Sequence, residues 1–323
     1  MPLQGIKMKK KFTSHPCLFA RPFILVLWIS LLFFLGCTKD HINIIDGNNP
    51  ASVTNISRLK IENYVNRLYI DLVGREPLKT ELKEESDTLK ARELSRDARL
   101  NLITRLMEDT SFRIGERSYK AAFYLNLYNL AKVRCLEGVT DEEIQMKMSL
   151  LLNAAMRDSM EQKWKGFYAK LDILRRYQDV LESQQELLEG HIAYHQMFTF
   201  LVNNGIYDII NMNTFNFIRA VFNELLFRLP TDQEYESAFD IIENSAAGQA
   251  FGRYVTNKTE YVEALVESPA MLEGMIVWTF QVYMNRFPTP RELSSLLPTY
   301  LKEKDIRYII KQIAVTDEYA GFK

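Results

Sequence analysis

The chain has 323 residues, with 40 basic and 41 acidic side chains, so it lacks the cationic surplus that a nucleic-acid partner requires. Glycine occurs only 13 times, whereas Leu, Met, Glu, Lys and Arg are abundant, which is a composition of helix formers. Length and composition therefore favour a large, helical, non-nucleic-acid-binding protein.

Residues 1–36 have the features of an export signal. An apolar run occupies residues 23–35, and its 13 residues match a signal-peptide core better than the roughly 20 needed to span a bilayer. No acidic residue precedes Asp40. The basic residues ahead of the run are Lys7, Lys9, Lys10, Lys11 and Arg21.

The run ends in Phe34-Leu35-Gly36-Cys37, which resembles the lipobox of bacterial lipoproteins. This resemblance implies cleavage before Cys37, acylation of its sulfur and a lipid anchor in the outer membrane. The alternatives are an uncleaved anchor and a secreted protein with an incidental cysteine. Cys-Thr-Lys-Asp resembles the start of Bacteroidota lipoproteins, some of which are displayed at the cell surface, and this favours the surface over the periplasmic face. Residues 37–56 lack apolar periodicity and predict a flexible tether.

Removal of residues 1–36 changes the charge and the cysteine count of the predicted mature chain. It leaves 35 basic against 41 acidic residues, a net charge of -6, which again argues against nucleic acid. With Cys37 acylated, Cys135 is the one remaining thiol, so no intramolecular disulfide is expected. We expect Cys135 to be a buried, inert thiol.

From Ser57 onward the chain shows helical periodicity. Ile61, Val65, Leu68 and Leu72, for example, share one helix face, and no convincing alternating strand pattern occurs. The sequence therefore predicts an all-α multi-helix array.

An internal repeat with the pattern Arg-x-Pro-x-x-x-Glu indicates helix–corner–helix modules. An aromatic residue lies six positions before each arginine, and a threonine three positions before the glutamate forms a capping box in the second and third copies. Each proline forces the chain to turn. We interpret the motif as structural rather than as a catalytic Arg–Glu pair. The copies are Arg75-Glu-Pro77-Leu-Lys-Thr-Glu81, Arg228-Leu-Pro230-Thr231-Asp-Gln-Glu234 and Arg286-Phe-Pro288-Thr289-Pro-Arg-Glu292.

Val65-Asn-Arg-Leu-Tyr-Ile-Asp-Leu-Val-Gly-Arg-Glu-Pro77, followed by residues 98–112, resembles the helical domain of unknown function in planctomycete cytochrome-associated surface proteins. Residues 214–323 resemble the companion C-terminal pattern. The resemblance implies a helical fold, and because its motifs are structural it says nothing about an activity. The Cys-x-x-Cys-His haem site often present in such proteins is missing, so no haem role is implied. The predicted organisation is a first module at 57–137, a helical insert at 138–213, and the second and third modules at 214–323.

The insert is the most individual segment of the chain and is our first hypothesis for a binding surface. Its long predicted helices carry methionines and Trp164 among their apolar positions. Its last predicted helix begins at His191. A spacing of four residues within that helix would place His191 and His195 on one face, as a zinc pair requires. The third ligand would be Glu189 or a distant carboxylate. The alternative is a pair of histidines at a helix surface or interface.

A second hypothesis concerns Tyr207, Phe215 and Phe217, which alternate with asparagines and would form a glycan- or protein-binding platform if exposed. The alternative is an inter-helix corner that packs these rings inward.

The sequence lacks a nucleophile elbow, a phosphate-binding glycine loop and a dinucleotide fingerprint. We therefore expect no enzyme activity and no cofactor, but a lipid-anchored scaffold or accessory subunit whose partners are the membrane and other outer-membrane proteins. The alternatives are a glycan- or nutrient-binding lipoprotein that acts with a transporter and a metal-dependent hydrolase that uses His191 and His195.

Overall fold

Helices form nearly all of the regular structure in the part of the chain that the structure describes. The computed structural model describes residues 56–111 and 117–322, which belong to one compact unit. The predicted signal peptide, Cys37 and the tether up to residue 55 lie outside the described residues. The prediction of an all-α multi-helix array is confirmed.

The first module has four helices: α1 (Arg58–Leu68), α2 (Lys79–Ala91), α3 (Arg96–Glu108) and α4 (Tyr119–Leu136). The side chain of Ser57 accepts a hydrogen bond from the Lys60 backbone N–H and so begins α1. α1 continues directly into one π-helical turn, Tyr69–Val73. Gly74 ends this segment with a φ of 79°, a conformation that glycine adopts without steric cost.

The insert also has four helices: α5 (Asp141–Met160), α6 (Trp164–Glu189), α7 (Tyr194–Val202) and α8 (Gly205–Asn211). A capping box begins α5, because the Thr140 hydroxyl accepts the Glu143 N–H and the Glu143 carboxylate accepts the Thr140 N–H. α5 and α6 pair as a helical hairpin. α5 packs chiefly against α6, whereas α6 also packs against α4, α7 and α8. The hairpin is thus joined to the body mainly through its second helix, and Asp141 at the start of α5 also accepts hydrogen bonds from Tyr128 and Lys132 of α4.

The remaining elements form the second and third modules. They are α9 (Thr214–Leu225), α10 (Asp232–Glu243), β1 (Gly248–Ala250), β2 (Arg253–Val255), α11 (Lys258–Val266), α12 (Pro269–Met284), α13 (Pro290–Glu303), α14 (Ile306–Ala314) and α15 (Asp317–Ala320).

The antiparallel pair of β1 and β2 was not expected from the sequence. Its strands have three residues each and pair Gly248 with Val255 and Ala250 with Arg253. Phe251 and Gly252 both have positive φ. This is the geometry of a two-residue hairpin turn whose backbone twist matches that of the flanking strands. Strands this short contain too few residues for an alternating pattern to be visible.

The three Arg-x-Pro-x-x-x-Glu corners have the same internal geometry. In each corner the two terminal nitrogens of the arginine donate to the two oxygens of the glutamate, at 2.8 and 2.9 Å in the first, 2.8 and 2.6 Å in the second, and 2.9 and 2.8 Å in the third. The same arginine donates to the next carbonyl along the chain and lies over the aromatic ring six residues earlier. The arginines are Arg75, Arg228 and Arg286.

A residue in the left-handed conformation precedes the arginine in all three corners: Gly74, Phe227 and Asn285. It ends the preceding helix and lets the arginine turn back over its own aromatic ring. In the first corner Leu78 provides no hydroxyl, so only the Leu78 N–H to Glu81 half of the capping box is made. The corners therefore serve as paired and capped turns between helices.

The first and third modules meet directly, which closes the array. α1 contacts α15, and α3 contacts α14. The Tyr64 hydroxyl donates to the Ala314 carbonyl at 3.0 Å, and Arg67 donates to the Tyr319 carbonyl at 2.8 Å. The body is thus tied together between residues that are far apart in the sequence.

Candidate interaction surface

The two histidines of the body do not share a helix face. Gly190 ends α6 with a φ of 80°, and α7 begins only at Tyr194, so His191 lies in the intervening turn. His191 is 60% exposed, whereas the side chain of His195 is fully buried. The expectation of a zinc pair is wrong because the four-residue spacing brings side chains together only within one continuous helix.

Within residues 56–111 and 117–322, the group of side chains that could hold a metal is Glu186, Glu189 and His191, whose ligand atoms lie within 4.8 Å of one another. The Nδ1 atom of His191 lies 3.1 Å from Glu186 and 3.4 Å from Glu189. This set retains the expected Glu189 and replaces His195 by Glu186. Glu186 is half-buried and Glu189 and His191 are exposed, and exposed acidic groups are common without an ion.

His195 lies instead at a buried junction of helices. Neither ring nitrogen has a hydrogen-bond partner among the described residues, and the nearest carboxylate, Glu267, is 3.7 Å away. Glu267 is already engaged by Lys304 at 2.8 Å and by Gln196 at 2.7 Å. Burial lowers the pKa of His195, so the neutral imidazole is favoured.

The aromatic platform is not formed. Tyr207 is fully buried and Phe217 is 3% exposed, and their rings pack edge to face at 5.7 Å. Only Phe215 reaches the surface, where it contacts Tyr235. The platform hypothesis is wrong because the turn between α8 and α9 directs two of the three rings into the core.

Cys135 is buried and has no disulfide partner among the residues that the structure describes. Burial raises the pKa of its thiol, which disfavours the nucleophilic thiolate. The neighbouring Glu224 has its pKa raised to about 7 by burial, and it accepts a hydrogen bond from the Tyr207 hydroxyl at 2.9 Å. The geometry is that of an internal polar contact between α4, α8 and α9.

Clefts of about 250 Å³ adjoin the second and third corners. Phe222, Glu234 and Ser237 line one of them, and the residues 58 positions later, Phe280, Glu292 and Ser295, line the other. The glutamate of each cleft is already held by the arginine of its own corner. The equivalence of the clefts follows from the repeat and does not by itself indicate a ligand.

The most distinctive surface of the described residues is on the α5–α6 hairpin. Nine of the 21 exposed large hydrophobic side chains in residues 56–111 and 117–322 lie between positions 146 and 173. The buried residues of α5 are Ile144 and Ala155 alone, although α5 has 20 residues. Soluble proteins usually expose such side chains singly, whereas a concentration of them marks a surface for interaction.

Seven of these nine residues fall into two groups along the hairpin, and Leu171 and Ile173 lie further along α6. The half-buried Phe167 belongs with the second group. The shaft face is formed by side chains of α5 that are 45–65% exposed, and the tip cluster surrounds the connection between the two helices. In the tip cluster Met160 is 82%, Trp164 51% and Tyr168 64% exposed, and Phe167 lies between the two other rings. The shaft face is Met146, Leu150, Leu152 and Met156; the tip cluster is Met160, Trp164, Phe167 and Tyr168.

The sequence identified the methionines and Trp164 of the insert as apolar positions, but it did not predict that their side chains are exposed. Of that set Met148 packs against the core, whereas Met146, Met156 and Met160 face solvent. Phe167 and Tyr168 were missed, although two aromatic residues beside Trp164 and a glycine at position 166 were a usable signal.

No family model, curated protein or solved structure matches the chain. Within residues 56–111 and 117–322, no helix combines the length and the apolar character needed to cross a membrane.

Proposed function

We propose that this chain is a lipid-anchored, non-enzymatic helical scaffold or accessory subunit of a bacterial outer-membrane protein complex, and that the shaft face docks the protein partner. The observation that carries the proposal is the concentration of exposed apolar side chains on a hairpin that is joined to the body mainly through one helix.

The shaft face consists of two apolar stripes along α5. Met146 and Leu150 are four positions apart, as are Leu152 and Met156, so each pair stacks along one side of α5. α5 has 20 residues and is therefore about 30 Å long. Complete burial of an exposed side chain of this kind contributes about 1.5–3 kcal/mol, and because these four are already partly covered, each adds only part of that amount at the centre of an interface. An amphipathic helix of a partner would fit this surface.

The body supports the same proposal, because a scaffold must hold its docking surface in a fixed position. The paired corners and the contacts between α1 and α15 join the modules to one another. α6 packs against α4, α7 and α8 and carries the hairpin on this body. No observation favours a glycan-binding role as a second candidate, since Tyr207 and Phe217 are buried.

The first experiment tests the anchor. Cells that produce the parent chain or Cys37→Ser are labelled with a palmitate analogue and fractionated. The proposal expects the label in the membrane fraction of the parent and loss of the label in the variant. Equal labelling of the two chains contradicts a lipid on Cys37.

The second experiment tests the partner. A photoreactive amino acid is placed at Leu150 in the shaft face or, as a control, at Leu59, which is equally exposed on α1. We expect a cross-link to one envelope protein from position 150 and none from position 59. The scaffold function is ruled out if the protein is extracted without a stoichiometric partner and cross-links equally from both positions.

A further inference from the structure

The tip cluster differs from the shaft face in its chemistry. It combines three aromatic rings with a methionine, and the rings are held in contact, at 6.1 Å between Trp164 and Phe167 and 5.3 Å between Phe167 and Tyr168. An ordered arrangement of this kind presents its apolar surface without a further loss of side-chain freedom on binding.

Basic residues surround this cluster. Within residues 157–170 four side chains are basic and two are acidic, although the predicted mature chain has a net charge of -6. Lys163 pairs with Glu161 at 2.6 Å, and Lys170 pairs with Asp158. The two other basic side chains are exposed and make no ion pair within 4.0 Å among the described residues; they are Arg157 and Lys165.

This combination suits a lipid surface better than a protein partner. The buried centres of protein interfaces are depleted in lysine, yet Lys163 and Lys165 directly flank Trp164. At a bilayer, tryptophan and tyrosine occupy the headgroup region, and long basic side chains extend to the phosphates while their carbon chains stay in apolar surroundings. Exposed cations on an otherwise acidic body are complementary to anionic headgroups.

We propose that the tip of the α5–α6 hairpin inserts Met160, Trp164 and Tyr168 into the headgroup region of a bilayer that contains anionic phospholipids, with Arg157 and Lys165 beside the phosphates. The contact is a second, non-covalent attachment to a membrane. It goes beyond the proposed scaffold function, and it does not depend on the lipid at Cys37.

The test uses residues 38–323 without the lipid, since residues 53–323 form a compact unit of their own. This chain has two tryptophans, Trp164 at the tip and Trp278, which is only 2% exposed. Vesicles of phosphatidylcholine with phosphatidylglycerol are added, with or without bromine on the acyl chains. We expect a blue shift and bromine quenching of the parent emission, and neither in Trp164→Phe, which reports from Trp278 alone.

Flotation with the same vesicles measures the affinity. Met160→Ser with Tyr168→Ser is expected to weaken binding by about tenfold or more, because each side chain loses its apolar burial. Met146→Ser with Leu150→Ser, on the shaft face of the same hairpin, is expected to bind as the parent does. Arg157→Glu with Lys165→Glu should also weaken binding, and added salt should weaken the binding of the parent. All substituted side chains are exposed, so urea unfolding should remain close to that of the parent.

Three outcomes would overturn the proposal. The first is no flotation of the parent, and the second is equal binding to pure phosphatidylcholine. The third is a dimer in sedimentation equilibrium that the tip substitutions dissociate, with unchanged binding to vesicles, which would assign the tip to a second copy of the chain. Loss of flotation without loss of the cross-link at Leu150 separates the tip from the proposed partner surface.

Discussion

The hydroxyl of Tyr319 donates a hydrogen bond of 2.7 Å to the carboxylate of Asp71, although the two residues are 248 positions apart. Asp71 belongs to the π-helical turn after α1, and Tyr319 belongs to α15, the last helix. Arg67 lies 4.1 Å from the centre of the Tyr319 ring and 3.4 Å from Asp71. Through these three side chains the first module is closed against the third.

The hydrogen bond predicts a stability effect. Tyr319→Phe leaves the partly buried Asp71 carboxylate without this donor, so we expect the free energy of unfolding to fall by about 1–3 kcal/mol. Urea unfolding of residues 38–323 measures the change. Tyr254→Phe removes a hydroxyl from a tyrosine that is 66% exposed and should have no effect. An unchanged midpoint for Tyr319→Phe would show that the contact is not needed for closure.

The ion pair in the third corner predicts that the free energy of unfolding depends on pH. Arg286 holds the pKa of Glu292 at about 2, below its ordinary value of 4.5. Because the folded state binds the proton less readily, the stability from this carboxylate is fully present above pH 4.5 and is lost as the pH falls towards 2. Glu292→Gln should therefore destabilise the protein at pH 7, by about 1 kcal/mol after allowance for solvent screening, and much less near pH 2.

Urea unfolding at several pH values tests this. Glu303→Gln, at the exposed end of the same helix α13, is the matched control and should follow the parent at every pH. Glu234→Gln in the second corner should behave as Glu292→Gln does, because Arg228 also lowers the pKa of Glu234 to about 2. A loss that is equal at pH 7 and near pH 2 would contradict the pairing.

Gly274 marks the closest approach of two helices. A Cβ atom at this position of α12 would lie 1.9 Å from the backbone carbonyl oxygen of Leu225 in α9. Since a backbone atom cannot move aside cheaply, Gly274→Ala should destabilise the protein by about 3 kcal/mol or more. Gly166→Ala is the control, because there the nearest atom belongs to the movable side chain of Asp158. Equal thermal midpoints for the two variants would show that α9 and α12 do not pack this closely.

Replacement of His195, unlike the destabilising substitutions above, is expected to stabilise the protein. Its pKa is lowered by burial, so the unfolded chain takes up a proton more readily, and the stability of the parent should fall as the pH drops below about 6.5. His195→Leu removes two buried nitrogens that have no hydrogen-bond partner among the described residues. We expect its stability to be equal or higher at pH 7.5 and clearly higher at pH 5.5. A steeper acid loss in the variant would mean that His195 pairs with Glu267 in its charged form.

Only part of the candidate site could be predicted from the sequence. The insert and its methionines were identified as a binding segment, but the exposed tip with Phe167 and Tyr168 was not. The histidine pair and the aromatic platform were each inferred from spacing. Spacing fails where a helix ends, as at Gly190, or where a turn directs rings inward, as at Phe217.

The sequence by itself determined the helices and the three corners. Each corner is made of residues no more than about a dozen positions apart, so the arginine, proline, glutamate and preceding aromatic ring carry its geometry locally. Only the tertiary structure decided which apolar faces are covered. Tyr207 is aromatic and Leu150 of the shaft face is apolar, so the sequence alone does not distinguish their burial. In the structure Tyr207 is buried, whereas Leu150 is 65% exposed. Periodicity states that a helix has an apolar face, whereas burial depends on whether a distant segment packs against that face.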